Sequence, residues 1–219
     1  MRKFLLFLCF VSLTSNLSAD PPPFKSTLFK KGTLVYSDDF DGEHDKLRWG
    51  PNKGHMQIKD GVLTISPLFE NAEVAMKTLK RDHHLGLGVV AHLNKIPKKF
   101  VCHMRFKFET EAIVPARPSF QIGHHMISLS YKEGGGHTIK LPKGPAYSDT
   151  ESGMKINEWV DLVIEYEEGK MLISVNGSSK IHEHELVTMK DSDRFTFKGR
   201  EGSENRLLFD YVRLWEVKE

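Results

Sequence analysis

Eleven histidines occur among the 219 residues of the chain. Imidazole can ligate a metal, move a proton near neutral pH or hydrogen-bond a polar ligand. They are His44, His55, His83, His84, His92, His103, His124, His125, His137, His182 and His184. A zinc site would take two of them at a fixed offset on one element and a third from elsewhere. The adjacent pairs His83-His84 and His124-His125 serve that purpose poorly if they lie in strands, where neighbouring side chains point to opposite faces. Scattered surface and core histidines are the plainer account. A second group shares one face: His103, Arg105 and Lys107 alternate with Phe100, Cys102, Met104, Phe106 and Phe108. Gln121, His125 and His137 would join that face if their strands are neighbours, with Tyr131 or Trp49 supplying an aromatic surface. On a sheet that floors a cleft these groups would hold a ligand, whereas on the opposite sheet they would only be solvated.

Other chemistries find less support. Glu109-Thr110-Glu111 falls at a strand end, Glu165-Tyr166-Glu167-Glu168 leads into a hairpin, and Glu183-His184-Glu185 sits in a polar connection. All three read as solvated surface. No Gly-x-Ser-x-Gly elbow occurs, and Gly134-Gly135-Gly136 lacks the Gly-Lys-Ser/Thr and the helix of a phosphate loop. Cys102, on the apolar side of its strand, reads as a buried inert thiol.

The elements that must position these residues are strands. Phe100–Glu109 has a strict period of two. Residues 55–59 and 62–66 form a hairpin around Asp60-Gly61, a pair suited to the positive φ angles of a tight turn. Residues 159–167 and 170–176 pair through Glu168-Gly169, and Asn176-Gly177 turns the chain again. Further strands are expected at 34–40, 73–78, 87–93, 119–131, 137–141, 195–198 and 207–216. No stretch carries an amphipathic helical stripe over three turns. About ten or more short strands around one core predict an all-β fold of two stacked antiparallel sheets.

At the amino end, Arg2 and Lys3 precede an apolar run from Phe4 to Leu13 and a polar stretch ending Leu17-Ser18-Ala19. This is the pattern of a secretory signal, and its apolar run is too short to span a bilayer. The expected organisation is a signal at 1–19, a Pro-rich extended spacer at 20–27 and a single domain over 28–219, located outside the cell or in the cell envelope without stable membrane insertion. Removing residues 1–19 takes two of the 31 Lys and Arg and none of the 29 Asp and Glu, so the mature chain holds 29 of each sign. Such neutrality argues against nucleic acid as a partner. Cys9 leaves with the signal, so Cys102 has no intrachain disulfide partner.

Two segments carry a more specific resemblance. Tyr36-Ser37-Asp38-Asp39-Phe40-Asp41-Gly42, with Trp49 and the Ile58–Leu63 hairpin behind it, looks like the opening of concanavalin A-like jelly rolls. Leu208-Phe209-Asp210-Tyr211-Val212-Arg213-Leu214-Trp215 looks like their closing strand. The pattern resembles glycoside hydrolase family 16 and, more closely, the secreted 3-keto-disaccharide hydrolase-like domains, which Asp82-His83-His84-Leu85-Gly86 and Gly136-His137-Thr138-Ile139-Lys140 also fit. The Glu-x-Asp-x-Glu run of family 16 is absent. The resemblance implies a two-sheet sandwich acting on carbohydrate in a concave cleft and gives more weight to His84 and His137 as groups that move a proton; from the alternation itself His103 is a further candidate, and Arg105, Lys107, Gln121, His125 and Tyr131 would bind sugar. It also implies a structural calcium ion held partly by Asp210. The alternative from another class is a non-catalytic glycan-binding or adhesion module, and a third is an envelope scaffold with no glycan site.

Overall fold

The computed structural model describes residues 23–43, 45, 48–50, 54–80, 86–123, 126–189 and 193–218. The expected signal, His44, His83, His84, His124 and His125 lie outside the described residues. In chain order the elements are β1 (Thr33–Asp38), β2 (Trp49–Gly50), β3 (Gly54–Lys59), β4 (Val62–Pro67), α1 (Ala72–Leu79), β5 (Gly88–Asn94), β6 (Phe100–Glu109), β7 (Ser119–Ile122) and β8 (Ile127–Tyr131). They continue with β9 (His137–Lys140), β10 (Ala146–Asp149), β11 (Val160–Glu167), β12 (Lys170–Val175), β13 (Ser178–Glu183), β14 (Arg194–Glu201) and β15 (Arg206–Glu216).

The strands form two antiparallel sheets. One has eight strands in the order β13-β12-β11-β6-β15-β4-β3, with β1 also paired to β15; the other has seven, in the order β10-β9-β8-β7-β14-β5-β2. Their facing sides enclose a core rich in phenylalanine. Phe106 and Phe209 from the larger sheet meet Phe197 of the smaller one, with ring centroids 5.6 and 4.8 Å apart, and Phe120 packs on Phe197 at 4.9 Å. All four are buried. Each contributes on the order of 1.5–3 kcal/mol by leaving water, which gives the sandwich its stability without a disulfide. Cys102 is among these core residues, and burial pushes its thiol pKa up, as expected of an inert thiol.

The alternation over 100–109 becomes β6, and the three expected turns form with positive φ at Asp60 and Gly61, Gly169, and Asn176 and Gly177. Three expectations need correction. Residues 73–78, read as a strand, belong to α1: Asn71 caps it by accepting from the Val74 N–H, Lys80 ends it in the left-handed conformation, and Ala75 is its buried residue. Its two turns are too short to show a three-turn stripe. Residues 119–131 are two strands, since Gly123 turns the chain at φ +76°. The polar stretch around Glu183 includes β13, an edge strand whose side chains are mostly exposed and therefore lack alternation. Among the described residues, no helix is long and apolar enough to cross a membrane.

Candidate ligand-binding face

β6 lies in the middle of the eight-stranded sheet, so His103, Arg105 and Lys107 all face outward from that sheet. His103 is sealed within that face, whereas Arg105 lines an open pocket with Trp159, Asp161 and Asn176. His103 Nε2 lies 3.0 Å from Asp161 Oδ2 on β11 and 2.9 Å from the Tyr211 hydroxyl, which itself donates to Asp161 Oδ2 at 2.6 Å. Burial alone would raise the Asp161 pKa, but the bonds from His103 and Tyr211 and the charge of Arg105 outweigh it and hold it below the usual carboxylate range. Burial, with Asp161 close by, raises the Tyr211 phenol. Phe24 packs edge-on against His103 at 4.5 Å and against Trp215 at 5.7 Å, leaving His103 only 2% exposed. The chain ahead of β1 is held by Glu165, whose carboxylate accepts from Ser26 Oγ and from the N–H groups of Thr27, Leu28 and Phe29 at 2.6–2.9 Å.

A β-bulge completes this face. Phe209 pairs with Phe106 and Tyr211 with Arg105, so Asp210 is the extra residue and both Asp210 and Tyr211 turn outward. The Asp210 carboxylate accepts from Arg105 Nη1 at 2.8 Å, while Arg105 and Lys107 lie over the Trp159 ring at 5.1 and 5.2 Å. Lys107 also pairs with Glu109. The residues at Asp210 do not fit a calcium site, because a guanidinium occupies the carboxylate where the resemblance puts the ion. Among the described residues, no group of three or more His, Cys, Asp and Glu converges.

The outer face of the seven-stranded sheet has a different composition. Strand register sets His92, Thr196, Gln121, Ser128 and Lys140 in one row and Val90, Lys198, Ser119, Ser130, Thr138 and Ser148 in the next. Asn94 and Arg194 pair one step further along. Six inter-strand steps of about 4.8 Å make the sheet roughly 29 Å wide. His92 Nδ1 is 3.0 Å from Thr196 Oγ1. Two polar atoms on this face, Gln121 Oε1 and Arg194 Nε, are buried without a hydrogen-bond partner. Burial, reinforced by Arg117 and Arg194, lowers the Lys198 pKa.

No family model matches the chain, and no curated protein matches it. Solved structures do match. A Bacillus subtilis protein of unknown function with a galectin-like fold aligns at TM-score 0.57 and 11% identity, over 88% of this chain and all of that one. The catalytic domain of an endo-1,3-beta-glucanase (laminarinase) from Thermotoga petrophila RKU-1 aligns at 0.54 and 14%, over 85% and 98%. SCLam, a non-specific endo-beta-1,3(4)-glucanase from family GH16, aligns at 0.54 and 12%, over 85% and 91%. The fold is a concanavalin A-like jelly roll. At these identities the likeness is one of fold.

This jelly roll separates the expected site residues. Gln121 lies on the outer face of the seven-stranded sheet, away from His103, Arg105 and Lys107 on the other sheet. Tyr131 is 5% exposed with its ring against Phe108, and Trp49 is buried while donating to the Tyr36 hydroxyl at 2.8 Å. Both rings belong to the core and are removed as sugar-stacking platforms. His137 points inward with Ile139 and meets Ser152 Oγ through Nδ1 at 2.8 Å. Burial lowers its pKa, opposed by Asp149 and reinforced by Lys180 and His182. The Asp149 oxygens accept from Ser178 Oγ and the Glu151 N–H and lie near Lys180. The His137 ring bonds Ser152 and not Asp149, so the group lacks the relay of a catalytic triad. His84 and His125 lie outside the described residues.

The residues missed by sequence reasoning are His92, Asn94, Arg194, Thr196, Lys198, Ser128 and Ser130. The signal was present as alternation, since Arg194, Thr196 and Lys198 interleave with Phe195 and Phe197. What was missing was knowledge of which sheet each strand joins. The outward positions of β5, β7, β8, β9 and β10, and of β14 up to Lys198, carry no carboxylate. Asp149 faces inward, and Glu201, opposite Gly88 past a register shift, brings a single carboxylate to the edge of this face. The retaining pair of carboxylates about 5–5.5 Å apart is therefore not formed by these positions.

Proposed function

We propose that the protein is exported and binds carbohydrate through the outer face of the seven-stranded sheet. The observation carrying this reading is the array of hydroxyl, amide and imidazole groups in register across that face, with the buried Gln121 Oε1 and Arg194 Nε awaiting partners. Such groups exchange hydrogen bonds with sugar hydroxyls, and an unsatisfied buried acceptor or donor gains most from doing so. The outward positions of β5, β7, β8, β9 and β10, and of β14 up to Lys198, hold no carboxylate pair, which favours binding over acid–base hydrolysis of an ordinary glycoside. Glycan-array binding by the folded mature chain is expected, with Gln121→Ala and Asn94→Ala together weakening it about tenfold; a folded chain that retains no glycan overturns the reading. Mature protein beginning at Asp20, measured by mass spectrometry after export, supports the secretory signal, and a retained Met1 overturns it.

A second reading, 3-keto-disaccharide hydrolase-like cleavage, draws on His92 beside Thr196 on the same face. A neutral imidazole there would take the proton α to a sugar ketone, the bond to the leaving alcohol would break, and water would add to the resulting alkene. Release of free sugar from 3-keto glycosides, lost in His92→Ala, supports this reading. No release from the folded wild-type chain overturns it.

A further inference from the structure

We propose that the glycan bound by the seven-stranded face is acidic, bearing carboxylate or sulfate groups. This rests on the carbohydrate reading above and assigns the ligand's charge. The mature chain as a whole is balanced, yet among the described residues the cations on and beside this face, Arg117, Lys140, Arg194 and Lys198, outnumber the carboxylate of Glu201, which lies opposite Gly88 at the start of β5. Arg194 and Lys198 project outward from β14 four residues apart, roughly 13 Å along a strand. Arg117 stands just ahead of β7, the strand paired with β14, and Lys140 faces outward on β9.

Among the described residues these cations lack acidic partners. None of Arg117, Lys140, Arg194 and Lys198 has an ion pair among the described residues. On the eight-stranded sheet, by contrast, Lys99, Arg105, Lys107, Lys170 and Arg213 each meet a carboxylate. Lys198 is half-buried beside Arg117 and Arg194, an arrangement that opposes its charge until a counter-ion arrives. Arg194 adds a buried Nε–H with no acceptor, and an acidic oxygen is the strongest acceptor it can receive.

The face also lacks the alternative means of holding a neutral sugar. Its outward strand positions carry no Trp, Tyr or Phe to stack on a pyranose ring, because Tyr131 and Trp49 are in the core. Hydroxyl-bearing residues provide hydrogen bonds, and the guanidinium and ammonium groups provide attraction. An extended chain with anionic groups about 13 Å apart would meet Arg194 and Lys198 together.

The test is titration of the mature protein with a neutral β-glucan, a polyuronate, a sulfated galactan and single-stranded DNA, each at 50 and 500 mM salt. At least tenfold tighter binding of one or both acidic glycans than of the neutral glucan is expected, weakening as salt screens the charges. The polyuronate and sulfated arms distinguish which anionic group is preferred. Arg194→Gln with Lys198→Gln should bring the acidic-to-neutral affinity ratio within twofold, and Lys198→Gln with Arg117→Gln gives a second route if the first pair misfolds. Lys99→Gln with Lys170→Gln on the other sheet should leave the ratio unchanged. Equal binding of neutral and acidic glycans overturns the proposal while leaving the carbohydrate reading intact. Binding to none of the glycans overturns the carbohydrate reading itself. DNA binding as tight as the best acidic glycan shows a non-selective cationic surface and overturns the proposal.

Discussion

The two outer faces of the sandwich use similar side chains differently. On the eight-stranded sheet, His103, Tyr211 and Arg105 are tied to Asp161 and Asp210, and Glu165 holds the chain ahead of β1 against the sheet. On the seven-stranded sheet, Arg194 and Lys198 have no carboxylate partner among the described residues, and two buried polar atoms make no bond. Intramolecular satisfaction makes the first face suited to stability, whereas the proposed function has a ligand meet the unpaired groups of the second. A cationic or imidazole side chain is therefore informative only together with its partners.

Glu165→Ala should produce the largest effect. It removes a carboxylate that accepts three backbone N–H bonds, at a cost of about 2–3 kcal/mol. The expected result is a melting temperature lower by roughly 5–10 °C, with faster proteolysis of residues 23–32 and unchanged glycan affinity. An unchanged melting curve would show that the covered face owes nothing to this clasp.

Arginine replacements compare the faces more directly. Arg105→Gln leaves Asp210 without its partner and should cost up to about 1 kcal/mol, since the pair is partly solvated. Arg194→Gln should change stability by no more than about 0.5 kcal/mol, because no ion pair is lost. Chemical denaturation measures both, and a reversal of their order would break the contrast.

The two faces should respond to pH in separate windows. The depressed Asp161 pKa contributes stability that is present above the ordinary value of 3.8 and is lost as pH falls through the folded-state value. Asp161→Asn should flatten that acid limb. Lys198 is also depressed, so its folded form releases a proton before the unfolded chain does, and stability should rise as pH climbs toward the ordinary 10.5. Melting curves against pH for wild type, Asp161→Asn and Lys198→Gln check both directions. The smallest effect is expected from chelator: the Arg105–Asp210 pair predicts no change in melting temperature, and a fall of several degrees would point to a bound cation.

Much of the fold was legible in the chain. Alternation over Phe100–Glu109 correctly separates the inward from the outward side of β6, and the Asp-Gly, Glu-Gly and Asn-Gly pairs locate three turns. The candidate site was harder to read because period-two alternation identifies an outward side chain but not which of two outsides it faces. Neighbours in sequence supplied no remedy: β6 and β7 follow one another yet join opposite sheets. The Asp210 bulge hid a second feature, since one inserted residue places two consecutive side chains on the same face.

The grip of Glu165 on residues 26–29 also sets how the protein is displayed. Because that segment is clasped to the eight-stranded sheet, anything joined ahead of Pro23 connects to the molecule from this side. A protein held by its amino end would stand with its back to the support. The seven-stranded sheet would then face away from the attachment, toward whatever polymer lies in front of it.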